Sequence, residues 1–400
     1  MSRWAVLALL SSALLLGMSA WFTGNAVAPQ LQARWGLDGS QVGWLTGVVQ
    51  LGFVAGTALA ALLNLADVVP SRRYFAVSAA LAALSNALLL VAPGYASALL
   101  TRFLTGFFLA GVYPPGMKMI ATWFRTGRGL AIGTLVGALT VGKAAPYLLK
   151  AGGGAEPLPV VLGASMGGFA ASALVGALYR EGPHPFERRP FSWGLVGRIF
   201  RHRQTMLATG GYLGHMWELY AMWTWAPAFL LASAAARESA GGAVPSAPVL
   251  ELVAFGAIAA GGLGCVWGGL AADRVGRERV TILSMWISGA CCVAVGFFFG
   301  GSFLVLAPLV WLWGFFIVAD SAQFSAIVTE VAPGEGVGTA LTLQTSMGFL
   351  LTLATIQLVP VLVDRVGWSW AFPVLAAGPA FGIAAMARLR AVRSVGAGAG

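Results

Sequence analysis

The sequence predicts an all-α integral membrane protein, with twelve transmembrane helices in two pseudo-symmetric six-helix bundles. Three observations predict it. Of 400 residues, 58% are hydrophobic and 10% charged, whereas soluble domains carry roughly 25% charged residues and need them to cover their surface. Stretches free of Asp, Glu, Lys and Arg recur along the chain, most of them reaching the roughly 20 residues that cross a hydrocarbon core. The longest polar stretch, 180–204, falls near the middle and leaves six expected helices on either side.

The elements follow in order. A charge-free run over 4–33 supplies the first span, 4–28, closing at Ala28-Pro29. Arg3 and Ala26-Val27-Ala28 resemble the ends of a signal peptide, but the run exceeds the roughly 7–15 residues of a signal core, so the span is expected to be retained. Runs over 39–66 and 74–101 give the second and third spans, 40–65 and 74–92. The fourth, 97–121, holds Arg102 and Lys118, and the fifth, 129–149, holds Lys143. The sixth is 158–179. Glu218 lies inside the seventh, 205–231, and the eighth is 249–271. A run over 280–319 breaks at Gly300-Gly301-Ser302, giving the ninth, 280–299, and most of the tenth, 303–328, which contains Asp320. The last two are 337–361 and 367–387.

The expected organisation is therefore a first bundle over 1–179, a linker over 180–204, a second bundle over 205–390 and a disordered tail over 391–400. In the linker, Phe191, Trp193, Leu195, Val196, Ile199 and Phe200 alternate with Arg198, Arg201 and Arg203. That pattern reads as an amphipathic helix lying on the inner leaflet.

Twenty-four Lys and Arg against fourteen Asp and Glu give a net charge of +10. In a membrane protein such an excess sets orientation and implies no nucleic-acid partner. With the N-terminus inside, seventeen Arg fall on cytoplasmic segments, and Arg34, Lys150, Arg237 and Arg365 fall on the other side. Both termini are expected in the cytoplasm. Cys265, Cys291 and Cys292 lie in apolar runs with no ligand-spaced partners, so neither a disulfide framework nor a metal site is expected.

The halves echo each other. Asp67, Arg72 and Arg73 follow the second span, as Asp273, Arg274, Arg277 and Arg279 follow the eighth, an offset of 206 residues between the aspartates. Gly129-x-Ala131 opens the fifth span and Gly338-x-Ala340 the eleventh, at an offset of 209. Duplicated six-helix halves are a transporter architecture.

Gly269-Leu-Ala-Ala-Asp273-Arg274-Val-Gly276-Arg277-Glu-Arg279 resembles the signature loop of the major facilitator superfamily, in its expected place after the eighth helix. The first-half copy keeps Asp67, Arg72 and Arg73 but has Leu63 and Pro70 where the pattern has glycine. Arg102-x-x-x-Gly106 is similar to the family's second motif. Gly133, Gly137, Gly142 and Pro146 are similar to its Gly/Pro-rich fifth helix, without the Gly-Pro dipeptide. Tyr113-Pro114-Pro115 and Ala319–Gln323 resemble bacterial porters grouped with nitrate and cyanate transporters, although the Asn/Gly-rich nitrate signature is missing. The resemblance implies a bacterial inner-membrane, multi-pass, monomeric transporter working by alternating access. It implies that Asp67, Arg72, Arg73, Gly269, Asp273, Arg274, Gly276 and Arg277 form the cytoplasmic gate.

Chemistry inside the membrane narrows the site. A charge at mid-bilayer costs at least about 2.5–3.5 kcal/mol, so survivors tend to face a cavity. Lys143, Glu218 and Asp320 are deep, Glu218 shares a face with His215, and Arg102 stands near a helix end, within reach of the interface. Polar stripes add Asn25, Gln50 and Gln344 to the expected pathway. Gly52/Gly56, Gly133/Gly137 and Gly264/Gly268 read as helix-packing faces. Lys143 is in the first bundle and Glu218 and Asp320 in the second, so opposite charges can pair across the interface when the site is empty and separate when it is loaded.

The expected function is transport of a small polar, anionic organic solute, with protons as coupling ion and no cofactor. Lys143 would hold the anion, and Glu218 or Asp320 the proton. Proton-linked efflux of drugs or metabolites is the alternative direction. A membrane sensor that does not transport is disfavoured by the intramembrane charges. Gly163-Ala-Ser165-Met-Gly167 fits a hydrolase nucleophile pattern, but inside an apolar helix it lacks the strand–turn–helix context that pattern needs. No enzyme is expected.

Overall fold

A computed structural model describes all residues except 64, 125, 126, 154, 155, 185–192 and 398–400, together with the backbone alone at 66, 67, 128, 193, 335 and 395–397. Among the described residues the chain is helical, with no strand. Eleven helices are long and apolar enough to cross a membrane, from Gly39–Leu62 to Trp368–Ser394. The first apolar helix, Arg3–Met18, is shorter and is continued by Thr23–Ala26, which completes twelve spans.

Three spans are broken, each for a local reason. The first is interrupted over residues 19–22, where the buried guanidinium of Arg102 intrudes. A Cβ at Gly24 would stand 3.0 Å from Arg102 Nε, so any larger residue there would have to displace the guanidinium. The fourth stops at Leu109 and restarts at Tyr113, because Pro114 and Pro115 have no N–H to continue the ladder. The tenth breaks at Asp320, between Phe303–Ala319 and Ser321–Val331. Gly111 and Asp320 are 209 residues apart, the offset of the two repeats.

Glycine sets the helix distances. Gly52 and Gly56 of the second span lie against the backbone carbonyls of Phe103 and Phe107 in the fourth. Gly264 and Gly268 of the eighth lie in the same way against Phe315 and Ala319 in the tenth. Gly137 faces the carbonyl of Gly262, which brings the fifth and eighth spans of opposite bundles into backbone contact.

The boundaries differ from expectation mainly at helix ends. The seventh span runs Arg203–Ser239 straight through Pro227. The last helix continues to Ala397, where a disordered tail from 391 was expected. Arg393 holds it there, pairing with Glu278 at 2.6 Å and Glu330 at 3.1 Å. The linker contains the expected helix, Trp193–Arg201, with Ile199 buried; Phe191, Arg188 and Arg189 lie outside the described residues. Ser165 sits in mid-helix and accepts a hydrogen bond from Asn86 Nδ2 at 2.9 Å, which is packing and no nucleophile geometry.

Candidate substrate site between the bundles

The two bundles meet along the fifth and eighth spans and along the second and eleventh. On the face away from the termini they are joined by polar contacts. Lys150 pairs with Glu251 at 2.8 Å, Ser40 Oγ donates to Gln357 at 2.8 Å, and Asn25 Nδ2 donates to the Thr224 carbonyl at 3.1 Å. A cavity of about 210 Å³ lies among them, lined by Asn25, Tyr147, Thr224 and Trp225. On the termini face the second and eleventh spans part around a cavity of about 300 Å³, whose walls include Thr57, Tyr74, Pro114, Thr342 and Thr345. The interface is thus fastened on one side and open on the other.

Between the two cavities stands Lys143. It projects from the fifth span across the interface and is buried. Its Nζ donates to Tyr220 Oη of the seventh span at 2.5 Å. The same nitrogen lies 4.3 Å from the ring centre of Trp21, 4.9 Å from Tyr220 and 5.3 Å from Trp223, distances at which a cation is drawn to a ring face. Phe22, Phe53 and Phe349 complete the cluster, with Phe53 and Phe349 centred 4.8 Å apart. The indole N–H groups of Trp21 and Trp223 are buried and have no partner among the described residues. A small void of about 70 Å³ adjoins Lys143, lined also by Tyr113, Thr140, Tyr212 and Ser321.

Neither acidic group meets Lys143. Glu218 turns into the second bundle, where it accepts hydrogen bonds from Ser288 Oγ at 2.9 Å, Cys292 Sγ at 2.9 Å and Trp313 Nε1 at 2.6 Å. Asp320 lies 2.9 Å from His215 Nδ1, an ion-pair distance without hydrogen-bond alignment, and His215 Nε2 has no partner among the described residues. The expected pairing of opposite charges across the bundles is therefore replaced here. Hydroxyl and ring contacts hold the lysine, because the carboxylates find closer donors within their own bundle.

Arg102 also departs from expectation. It is fully buried and does not reach the interface. Its donors go to the carbonyls of Ala20, at 3.0 Å, and Trp21, and to Asn86 Oδ1 at 2.9 Å, with Nε 3.5 Å from the Leu45 carbonyl. The guanidinium fills the break in the first span and braces Trp21 from behind. Asn25 is bound by Thr46 and Thr224 in the outer layer. Gln50 and Gln344 are buried on the facing second and eleventh spans, with no amide partner among the described residues.

The signature loops are unequal. Gly276 adopts φ +94°, which suits glycine, and turns the chain from the eighth span into the ninth. Asp273 faces the start of the fifth span, its Oδ2 3.6 Å from where a Gly129 Cβ would stand. Arg277 bonds Glu330 at 2.7 Å and Gln323 at 2.8 Å, while Gly269 packs beside the Gly129 carbonyl and Arg274 is exposed. In the first half, Arg72 donates to the Gly176 carbonyl at 2.7 Å and Arg73 is exposed. The Asp67 side chain lies outside the described residues.

Reasoning from sequence missed Tyr220, Trp21 and Trp223. The available signal was aromatic density within about a turn and a half of Glu218, which covers Tyr220 and Trp223, whereas nothing local marks Trp21.

The family model of the Major Facilitator Superfamily matches residues 9–261. A crystal structure of the nucleoside transporter NupG, in a single-substitution variant, superposes with a TM-score of 0.73 at 12% identity, covering 97% of this chain and 100% of that one. At that identity the likeness concerns the fold. No curated protein matches the sequence.

Proposed function

We propose a route and a cargo for this chain, which belongs to the major facilitator superfamily and is a secondary transporter, not an enzyme. The cargo is a small organic anion, bound at Lys143 between the bundles. One observation carries this reading: among the described residues, a buried ammonium with a single hydrogen-bond partner stands beside two indole N–H donors that have none. Buried donors without acceptors are costly and call for an explanation. An anion reaching Lys143 answers all three.

The geometry favours His215–Asp320 over Glu218 as the coupling site. Ser321, next to Asp320, and Tyr212 and Met216, beside His215, line the void at Lys143. Glu218 instead spends its oxygens on three donors of its own bundle. The termini face is the cytoplasmic one by the distribution of Arg, so the fastened side is the outer gate and this state faces inward. Alternating access would then release Lys150–Glu251 and Ser40–Gln357 while closing the second span on the eleventh. NupG carries nucleosides by its name; here Lys143 favours a charged cargo.

Reconstituted protein tests the reading. Lys143→Gln is expected to lose binding of anions while remaining folded. Asp320→Asn is expected to keep counterflow exchange but lose accumulation driven by a pH gradient, with Glu218→Gln affected less. Full gradient-driven uptake in both acid variants would rule out proton coupling through either group.

A further inference from the structure

We infer that the anion is flat, an aromatic or conjugated carboxylate of about one ring. This inference rests on the anion reading above and adds the shape of the cargo. The ring cluster is divided between the bundles: Trp21, Phe22 and Phe53 belong to the first, and Tyr220, Trp223 and Phe349 to the second. Five ring pairs cross the interface: Trp21–Tyr220 at 5.9 Å, Trp21–Phe349 at 5.8 Å, Phe22–Tyr220 at 6.3 Å, Phe22–Trp223 at 6.0 Å and Phe53–Phe349 at 4.8 Å. No rocking of one bundle against the other leaves these pairs intact.

Separation therefore opens a slot with aromatic faces on both walls. Lys143 stands on one wall and the Tyr220 hydroxyl on the other. The N–H groups of Trp21 and Trp223, without a partner among the described residues, come one from each bundle. A void of about 70 Å³ already adjoins the lysine, so the cargo must take its remaining space from the rings it parts. Ring pairs prefer offset or edge-to-face contact over a narrow range of separations. A flat π-system restores such contacts with both walls, whereas a puckered aliphatic ring of equal size and charge restores dispersion alone. The carboxylate then takes the ammonium and the indole donors at the end of the slot.

Four probes titrated into the purified full-length protein in nanodiscs separate shape from charge: benzoate, cinnamate, cyclohexanecarboxylate and neutral benzamide. We expect the two aromatic acids to bind about tenfold more tightly than cyclohexanecarboxylate, and benzamide to bind at least as weakly as the latter. Trp223→Leu should shrink the benzoate-to-cyclohexanecarboxylate ratio toward one. Trp223→Phe, which keeps a ring, should retain it; loss of an indole donor weakens both anions alike and cancels from the ratio. Equal affinity for benzoate and cyclohexanecarboxylate would overturn the flat-cargo inference and leave the anion reading standing. Benzamide binding as well as benzoate would overturn the anion reading itself. Binding of none of the four would overturn both.

Discussion

Two buried cations of the first bundle, Arg102 and Lys143, look alike by depth and differ in how their hydrogen bonds are used. Arg102 places its donors on Asn86 and on carbonyls that the broken first span leaves open. Lys143 gives one bond to Tyr220 and otherwise meets ring faces. The first has its donors committed to the fold, whereas the second has one hydrogen-bond partner among the described residues, which in the reading proposed for it leaves donors for a ligand. Depth in the membrane marks a residue as costly; the partners decide whether it is structural or available.

The largest effect that tests this comparison is on stability. Arg102→Leu strands the acceptors of Ala20, Trp21 and Asn86, and should destabilise the protein by about 3–5 kcal/mol, since each unsatisfied buried acceptor costs about 1–3 kcal/mol. Arg102→Lys should recover little, since a point ammonium cannot reproduce the fork. Thermal unfolding in detergent measures both, and a wild-type transition for Arg102→Leu would dissolve the distinction. Lys143→Met should behave in the opposite way. Replacing a desolvated ammonium by an apolar chain of similar length should leave stability within about 1 kcal/mol, or raise it, while anion affinity falls at least about tenfold.

A similar contrast separates the signature loops. Asp273 faces the N-terminus of the fifth span, where a carboxylate gains about 0.3–1 kcal/mol from the helix dipole. Asp273→Asn removes a contact that this structure makes between the eighth span and the fifth, and should slow transport more than Asp67→Asn. Flux in liposomes decides it, and normal transport by Asp273→Asn beside a defective Asp67→Asn would reverse the ranking. The smallest expected effect is at the outer gate. Ser40 and Gln357 join the bundles there through an exposed hydrogen bond, and such a bond contributes about 0.5–1.5 kcal/mol. Ser40→Ala should therefore raise the outward-facing population by about tenfold at most, measured as a distance distribution between spin labels on the second and eleventh spans.

Most of the fold was legible in the sequence because the bilayer imposes it. Span length, the glycine pairs and the repeat of Asp and Arg after the second and eighth spans follow from local pattern. The helix that persists to Ala397 was not legible, because Arg393 finds Glu278 and Glu330 only after the ninth and tenth spans are in place. The site was legible in part. Lys143 stood out as a charge in an apolar run, but its partners come from the first and seventh spans, and no periodicity reports that convergence. Arg102 was misjudged for the same reason. The carbonyls that bind it exist only because the first span breaks at 19–22.

The most direct test of Lys143 as the cargo's anchor is the position of a heavy-atom anion in a crystal of the protein. With 4-bromobenzoate as the ligand, the anomalous signal of bromine fixes where the ring lies. Bromine is expected inside the aromatic cluster, with the carboxylate about 2.7–3.2 Å from Lys143 Nζ. Bromine in the outer cavity beside Lys150 and Glu251, or at the inner mouth near Thr57 and Thr342, with Lys143 still bonded to Tyr220, would contradict it.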